Sequence, residues 1–392
     1  MVEYISQFIT GFEEKVSRWI PRELGGAEIQ YINGGLAYYK YTGKPEFVAK
    51  LPFVNNSFTV ISKYNGTNLT FEKMAYDAAG KTLRQSGGIK TGGRGVGGGS
   101  GGSGGRGKNK YDSFGEAETS FRVRFSREGQ FEKVPFGVLE AAERAIAVNY
   151  GLYVDRDRPD HEFWFILRRG EPGFFGRLLK KPAAARLNKG ELRPELAGMM
   201  CLDCAFDKNT VVCDPFAGYG SIPLYIQKHY PYKKMYVNDY DRELAIYLKK
   251  TRLGRDAKVM ITQSDALPPV AANKSGSMPA AAANKSGVAA IPNQANAAAL
   301  GHIGGGTVDL VITDPPWGFV GQYGDIKDFY RRALTEIKRI LKDSGRAVIL
   351  TGIPSEMAGA ARSASMEIAS RENILVNGKK AAVYTLVNAR TE

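Results

Sequence analysis

At 392 residues and 42.8 kDa the chain is too long for one ordinary core, and 43% hydrophobic with 24% charged residues is the balance of a globular protein in water. Its formal charge of +14 makes a polyanionic partner the expectation, and no apolar run approaches the length of a membrane span. The opening MVEYISQFITGFEEKV carries acids and no apolar core, unlike a secretory signal, and three cysteines are too few for a disulfide framework.

Along the chain, Glu13 to Leu24 has helical spacing, and Ile29–Tyr31 with Leu36–Tyr41 reads as a hairpin through Asn33-Gly34-Gly35. Residues 80–110 hold seven basic side chains and no acid, which accounts for the whole positive excess of the first 185 residues. Their core, SGGIKTGGRGVGGGSGGSGGRGKNK, buries too little apolar surface to offset its ordering entropy. It reads as a flexible insertion, or as a cationic arm for nucleic-acid phosphates. Residues 111–185 follow as strand (Ser120–Phe125), helix (Val138–Tyr150) and strand (Glu162–Leu167), the rhythm of a small α+β unit.

From about residue 186 strands and helices alternate, which predicts an α/β, doubly wound, Rossmann-like sheet. Thr210–Asp214 is a strand followed by a Gly turn and a helix from Ser221. Met235–Asp239 is the next strand, with Asp241 capping a helix that stops at Gly254. The stretch 268–306 repeats Ala-Asn-Lys-Ser-Gly and reads as a tolerated surface loop. Val308–Asp314 and Arg346–Thr351 are further strands. Between them a helix starts at the cap Asp325 and stops at Gly345. Arg193 to Glu195 opens another helix, with Pro194 in its first turn. Cys201-Leu-Asp-Cys204 has a metal-like spacing, but no histidine pattern completes four ligands, so no metal is expected and the thiols read as buried or half-buried.

Ligands of such sheets bind beyond the carboxyl ends of the strands. There the sequence offers Asp214-Pro-Phe216-Ala-Gly218-Tyr-Gly220, then Asn238-Asp239, then Ser264-Asp265-Ala266, then Asp314-Pro315-Pro316-Trp317-Gly318. Any one of these acids could be a helix cap or turn former. In this order they suit an ammonium group, a ribose, an exocyclic adenine amine and something else. A G-x-G turn alone also occurs in dinucleotide enzymes, but hydride transfer has no use for Asp-Pro-Pro-Trp.

DPFAGYG, NDYD, SDALP and DPPWG together resemble the motif series of S-adenosylmethionine-dependent amino-methyltransferases with a [DN]PP[YFW] motif. KGELRPELA, FRVRF and VDRDRPDHEFWFILRRGEPGFFGRLL, with the opening ISQFITGFEEKVSRWIPREL, are similar to the THUMP-domain RNA (guanine-N2) methyltransferases. The resemblance implies an N-terminal ferredoxin-like domain (1–79), the insertion (80–110), a THUMP domain (111–185) and a methyltransferase domain (186–392). It implies S-adenosylmethionine as cofactor, held by Asp214, Phe216, Gly218, Gly220, Asp239, Asp265 and Ala266. Asp314, Pro315, Pro316 and Trp317 would be catalytic. The Asp314 carboxylate and the Pro315 carbonyl would accept the two N–H bonds of a base amine, localising its lone pair, while Trp317 offers a stacking face. The expected substrate is a guanosine in RNA, most often transfer RNA, in the cytoplasm, with Arg168, Arg169, Lys180 and Lys181 as candidate RNA contacts. Ribosomal RNA, the N6 amine of adenine in DNA, and a non-catalytic RNA-binding role are the alternatives.

Overall fold

The structure, a computed structural model, describes residues 1–66, 68–85, 119–180, 187–267, 300–317, 325–376 and 378–389, without the side chains of 80–85 and 180. Most of the two low-complexity segments lies outside these residues. The chain divides into two compact units. The first comprises Met1–Gln7, Ile20–Leu51 and Asn55–Ala183; the second comprises Phe8–Trp19, Pro52–Val54 and Ala184–Glu392.

The elements of the N-terminal half are β1 (Val2–Gln7), α1 (Glu13–Leu24), β2 (Glu28–Asn33), β3 (Leu36–Tyr41), α2 (Pro45–Ala49), β4 (Asn56–Tyr64), α3 (Phe71–Gln85), β5 (Ser120–Arg127), β6 (Gln130–Phe131), α4 (Phe136–Tyr150), β7 (Tyr153–Val154), β8 (His161–Leu167) and β9 (Gly173–Lys180). The β2–β3 hairpin turns through Gly34 at φ 53° and Gly35 at φ 75°, the left-handed pair that matches strand twist. One nine-stranded sheet, ordered β2-β3-β1-β4-β9-β8-β5-β6 with β7 on β5, runs through both of the segments expected as ferredoxin-like and THUMP domains, because β4 pairs with β9. Strand periodicity marks β8 but carries no information about its distant partners. The unbroken apolar run of β8 follows from cover on both faces. Phe163 and Phe165 pack with α3 and α4, while Trp164 and Ile166 pack with Phe58 and Phe174.

The second unit continues with α5 (Pro194–Cys201), β10 (Val211–Asp214), α6 (Ser221–His229), β11 (Lys234–Asp239), α7 (Arg242–Lys250), β12 (Val259–Gln263), β13 (Val308–Thr313), α8 (Ile326–Ile340), β14 (Leu341–Thr351), α9 (Pro354–Ser363), β15 (Met366–Val376) and β16 (Lys379–Asn388). Its seven-stranded sheet has the order β12-β11-β10-β13-β14-β16-β15. It is parallel through β14, with β16 antiparallel at the β14 side. Helix α8 buries Phe329, Tyr330, Ala333, Leu334, Ile337 and Ile340 at helical spacing, each large side chain contributing about 1.5–3 kcal/mol.

Two helix ends differ from expectation. Helix α7 stops at Lys250 rather than Gly254, because Thr251 is extended and its hydroxyl donates to the Leu248 carbonyl and accepts from Leu253 N. Helix α8 stops at Ile340 rather than Gly345, because Leu341 already pairs with Val308 in the sheet. Sheet pairing overrides the local stop signal. Residues 300–306, expected to belong to a surface loop, include core positions. Leu300 and Ile303 are buried, and Arg339 holds both their carbonyls at 3.1 Å.

Phe8–Trp19 was expected to belong to the N-terminal domain but groups with the second unit. There the buried Lys15 ammonium meets Asp203 at 3.2 Å and Glu372 at 3.3 Å, and Leu375 N donates to the Thr10 carbonyl. A lysine paired this way is indistinguishable in sequence from one on a solvated helix face. Cys201 and Cys213 are buried and Cys204 is half-buried; all three are free thiols, and burial pushes that of Cys204 up to about 12. Among the described residues no helix is long and apolar enough to cross a membrane.

Candidate active site

The strand order reverses between β10 and β13: the chain steps outward through β11 and β12, then returns to the other side. A crevice opens at such a switch point, beyond the carboxyl ends. Asp214 closes β10 there and Asp314 follows β13.

Asp214 is almost fully buried. Its Oδ1 accepts from the Thr313 hydroxyl at 2.7 Å and from Phe216 N at 3.2 Å. Its Oδ2 is equally buried and has no hydrogen-bond partner among the described residues. Burial, with Asp239 and Asp314 nearby, pushes this carboxyl up to about 7. An orphaned buried carboxylate oxygen is costly unless a cation or donor arrives.

Asp239, at the tip of β11, accepts from Gly218 N at 2.7 Å and, through its other oxygen, from Asp241 N at 2.9 Å. Each oxygen keeps a second lone pair for an incoming hydroxyl. Burial raises this carboxyl too, against the pull of those two amides. The two turn glycines have different jobs. At Gly218, φ is 54° and a Cβ would meet nothing within 4 Å, so the backbone faces open space. At Gly220, φ is 81° and a Cβ would fall 2.6 Å from Leu248, so packing as well as the turn requires a glycine here. Asn238, which sequence reasoning left without a role, ties three strand tips. It donates to the carbonyls of Pro215 and Ser264 and accepts from the Thr262 and Ser264 hydroxyls.

Asp265 lies exposed just past β12, where its Oδ1 accepts from Leu267 N at 3.0 Å, and Ala266 beside it is buried. Phe216 packs against Phe329 of α8, with ring centroids 5.6 Å apart.

At the fourth tip Asp314 keeps some solvent exposure although protein surrounds it on most sides, and burial pushes its carboxyl up to about 7. The Trp317 indole N–H donates to its Oδ1 at 2.7 Å. The indole was expected to offer only a face; here it also orients the acid. Trp317 lies against Gly352, where a Cβ would sit 2.3 Å from Cε3. The Pro316 carbonyl accepts from the Tyr330 hydroxyl at 3.1 Å. Gly318 falls outside the described residues. Thr313, Thr351 and Gly352 were not singled out from sequence, because each lies at the end of an apolar run where a hydroxyl or a glycine gives no periodic signal, and Tyr330 reads only as a core position of an amphipathic helix.

In the first unit, the backbone of Arg168 and Arg169 follows β8. A cavity of about 230 Å³ there is lined by Arg127, Glu128, Leu167, Arg168, Arg169 and Glu171, among others. Glu128 already accepts from Arg169 N, and Glu171 from the Asn33 amide. Arg127 pairs with Glu132 at 2.6 Å. The Arg168 Nε is buried with no hydrogen-bond partner among the described residues; burial lowers the guanidinium's proton affinity, and the Glu128 carboxylate acts against that. Lys180 ends β9, its side chain outside the described residues, and Lys181 lies outside them entirely.

A switch-point crevice bordered by acids, in a seven-stranded sheet with one antiparallel strand, fits an S-adenosylmethionine-dependent methyltransferase, and the family match shows one. The chain belongs to the UPF0020 family, the RMKL-like methyltransferase domain, whose model matches residues 184–382. Among solved structures the fold is similar to TrmN from Thermus thermophilus (19% identity, TM-score 0.65, 99% of this chain and 100% of that one). It is also similar to SMU.472 in complex with SAH (12%, TM-score 0.61, 100% and 99%). A third similar structure is a predicted N6-adenine-specific DNA methylase from Listeria monocytogenes (11%, TM-score 0.59, 99% and 96%). No curated protein matches.

The residues present fit the cofactor. The Asp214 Oδ2 is an unmet acceptor, the Gly218 backbone borders open space, and three acids with raised proton affinity surround the place a cationic donor would take. Bound there, S-adenosylmethionine supplies an electrophilic methyl group on a sulfonium.

Proposed function

We propose that this methyltransferase acts on the exocyclic N2 amine of a guanosine in RNA, with transfer RNA the first candidate. The observation that carries the reading is Asp314. One of its oxygens is fixed by the Trp317 N–H, leaving the other to accept an amine N–H beside the rigid Pro315-Pro316 turn. Asp214, Phe216, Gly218, Gly220, Asp239, Asp265 and Ala266 hold the methyl donor in this reading.

An exocyclic amine on a base is a weak nucleophile because its lone pair is delocalised into the ring. Asp314 and the Pro315 carbonyl accept its two N–H bonds and localise that pair on nitrogen. As nitrogen gained the methyl group, the donor's methyl–sulfur bond would break with its electron pair returning to sulfur, and the Asp314 oxygen, with a proton affinity near neutrality, would take the proton that the methylated nitrogen releases. Trp317 bounds the space for an unstacked base. Arg168, whose buried Nε has no hydrogen-bond partner among the described residues, supports a phosphate-bearing substrate, as does the basic segment 80–110.

The test is transfer of labelled methyl groups from S-adenosylmethionine to bulk transfer RNA, ribosomal RNA and duplex DNA, followed by mass spectrometry of the nucleosides. N2-methylguanosine from transfer RNA is expected. Label on duplex DNA alone, as N6-methyladenine, would overturn the reading in favour of a DNA methyltransferase. Asp314→Ala should lower kcat about 100- to 1,000-fold while donor binding persists.

A further inference from the structure

Behind the Asp-Pro-Pro-Trp turn lies a buried chain of hydroxyls. The Tyr330 hydroxyl contacts the Pro316 carbonyl at 3.1 Å and the Thr351 hydroxyl at 3.0 Å; Ile353 N donates to that threonine oxygen at 3.1 Å. A phenol has one proton, and the carbonyl can only accept, so that proton goes to Pro316. Thr351 must then donate to Tyr330, having itself accepted from Ile353. The order is therefore Ile353 N–H to Thr351, Thr351 O–H to Tyr330, Tyr330 O–H to Pro316. Tyr330 and Thr351 are both at most 1% exposed, so water offers no substitute partner.

The same strand tip supports the turn a second time. Gly352, next to Thr351, lies under the Trp317 indole, and that indole donates to Asp314. Both proline φ angles are fixed by their rings, so holding the Pro316 carbonyl leaves the adjacent Pro315 carbonyl little freedom to rotate. The tip of β14 thus sets two ends of the turn, one through a hydroxyl chain and one by contact with a ring.

We propose that Tyr330 is a positioning residue for methyl transfer: relayed from Thr351, its hydroxyl locks the Pro316 carbonyl and thereby aims the Asp314–Pro315 acceptor pair at the amine. The proposal rests on the assignment of that pair to the amine. Its effect belongs to kcat, because an acceptor displaced by a fraction of an ångström loses the geometry of the reacting nitrogen while the donor's own contacts remain.

The test compares Tyr330→Phe, Thr351→Val and Thr351→Ser in the full chain, using unfractionated RNA and labelled S-adenosylmethionine. Tyr330→Phe and Thr351→Val should each lower kcat about 10- to 100-fold, with the Kd for S-adenosylmethionine within about twofold of the parent. Thr351→Ser, which keeps the hydroxyl, should restore most of the rate. A merely structural loss would lower donor binding and rate together and would not depend on the hydroxyl. Parent kcat in Tyr330→Phe, or equal impairment in Thr351→Ser and Thr351→Val, overturns the proposal. So does a crystal structure of Tyr330→Phe with the Pro316 carbonyl unmoved, a readout that needs no acceptor. If instead Asp314→Ala keeps full activity, it is the amine assignment that fails, independently of Tyr330.

Discussion

The Thr313 hydroxyl donates to Asp214 Oδ1 at 2.7 Å, joining two neighbouring strand tips at the point where the strand order reverses. That bond holds one oxygen of the acid and leaves its mate, Oδ2, buried and unmatched. Asp214→Asn should therefore weaken S-adenosylmethionine binding about 10- to 100-fold by calorimetry. The same change should not lower the apo protein's Tm at alkaline pH. A carboxyl raised from 3.8 to about 7 is costly to fold in its charged form, by on the order of a few kcal/mol above about pH 7. Near pH 4 that difference should vanish. An apo Tm that falls at both pH values would mean that Asp214 is structural.

Cofactor affinity should depend on pH. Asp214 and Asp314 both titrate near 7, and a cationic ligand favours their charged forms. Binding should tighten from about pH 6 to about pH 8 and then level, with proton release visible when buffers of different ionisation enthalpy are compared. A flat profile would contradict the placement of the donor's positive charge beside these acids.

Gly218→Ala and Gly220→Ala should separate binding from folding. At Gly218 a methyl group enters open space, so the loss should appear mainly as weaker donor binding, with about 1 kcal/mol of backbone strain. At Gly220 the methyl group collides with Leu248, and the expected result is a destabilisation of about 1–3 kcal/mol in denaturant unfolding. The reverse ranking would exchange their roles.

Much of the catalytic half was legible because its strands announce themselves. Val211–Asp214 and Lys234–Asp239 end in acids and Val308–Thr313 is followed by one, each after a largely apolar run, and the Asp241 and Asp325 caps accept the amides that their helix starts require. What stayed hidden was pairing over long separations. Nothing local says that β4 borders β9, that Lys15 lies between Asp203 and Glu372, or that Thr351 reaches Pro316 through Tyr330. Low-complexity composition also misled at its edge. Leu300 and Ile303 look like the tail of a loop, yet both are core residues.

The returning segment gives its own prediction. Glu336 accepts from Leu300 N, and Arg339 bridges Glu336 to two carbonyls of the segment. Arg339→Met should destabilise the protein by about 2–4 kcal/mol, and adding Glu336→Leu should recover part of that loss. Chemical denaturation of the single and double variants checks this; a double variant worse than the sum of the singles would exclude the pairing argument.

Arg168→Ala should reduce RNA affinity several-fold in low salt and less in high salt, with the S-adenosylmethionine Kd unchanged. Filter binding across a salt series measures it. Equal affinity of parent and variant at every salt would remove Arg168 from the RNA surface.

The burial of Lys15 has a consequence for synthesis. Helix α1 leaves the ribosome early, while its acidic neighbours Asp203 and Glu372 are still untranslated. The catalytic unit therefore cannot close in N-to-C order; its first helix must stay unsatisfied until almost the whole polypeptide has emerged. A fragment cut at the start of the matched family region would lack that helix and leave both acids without their ammonium partner.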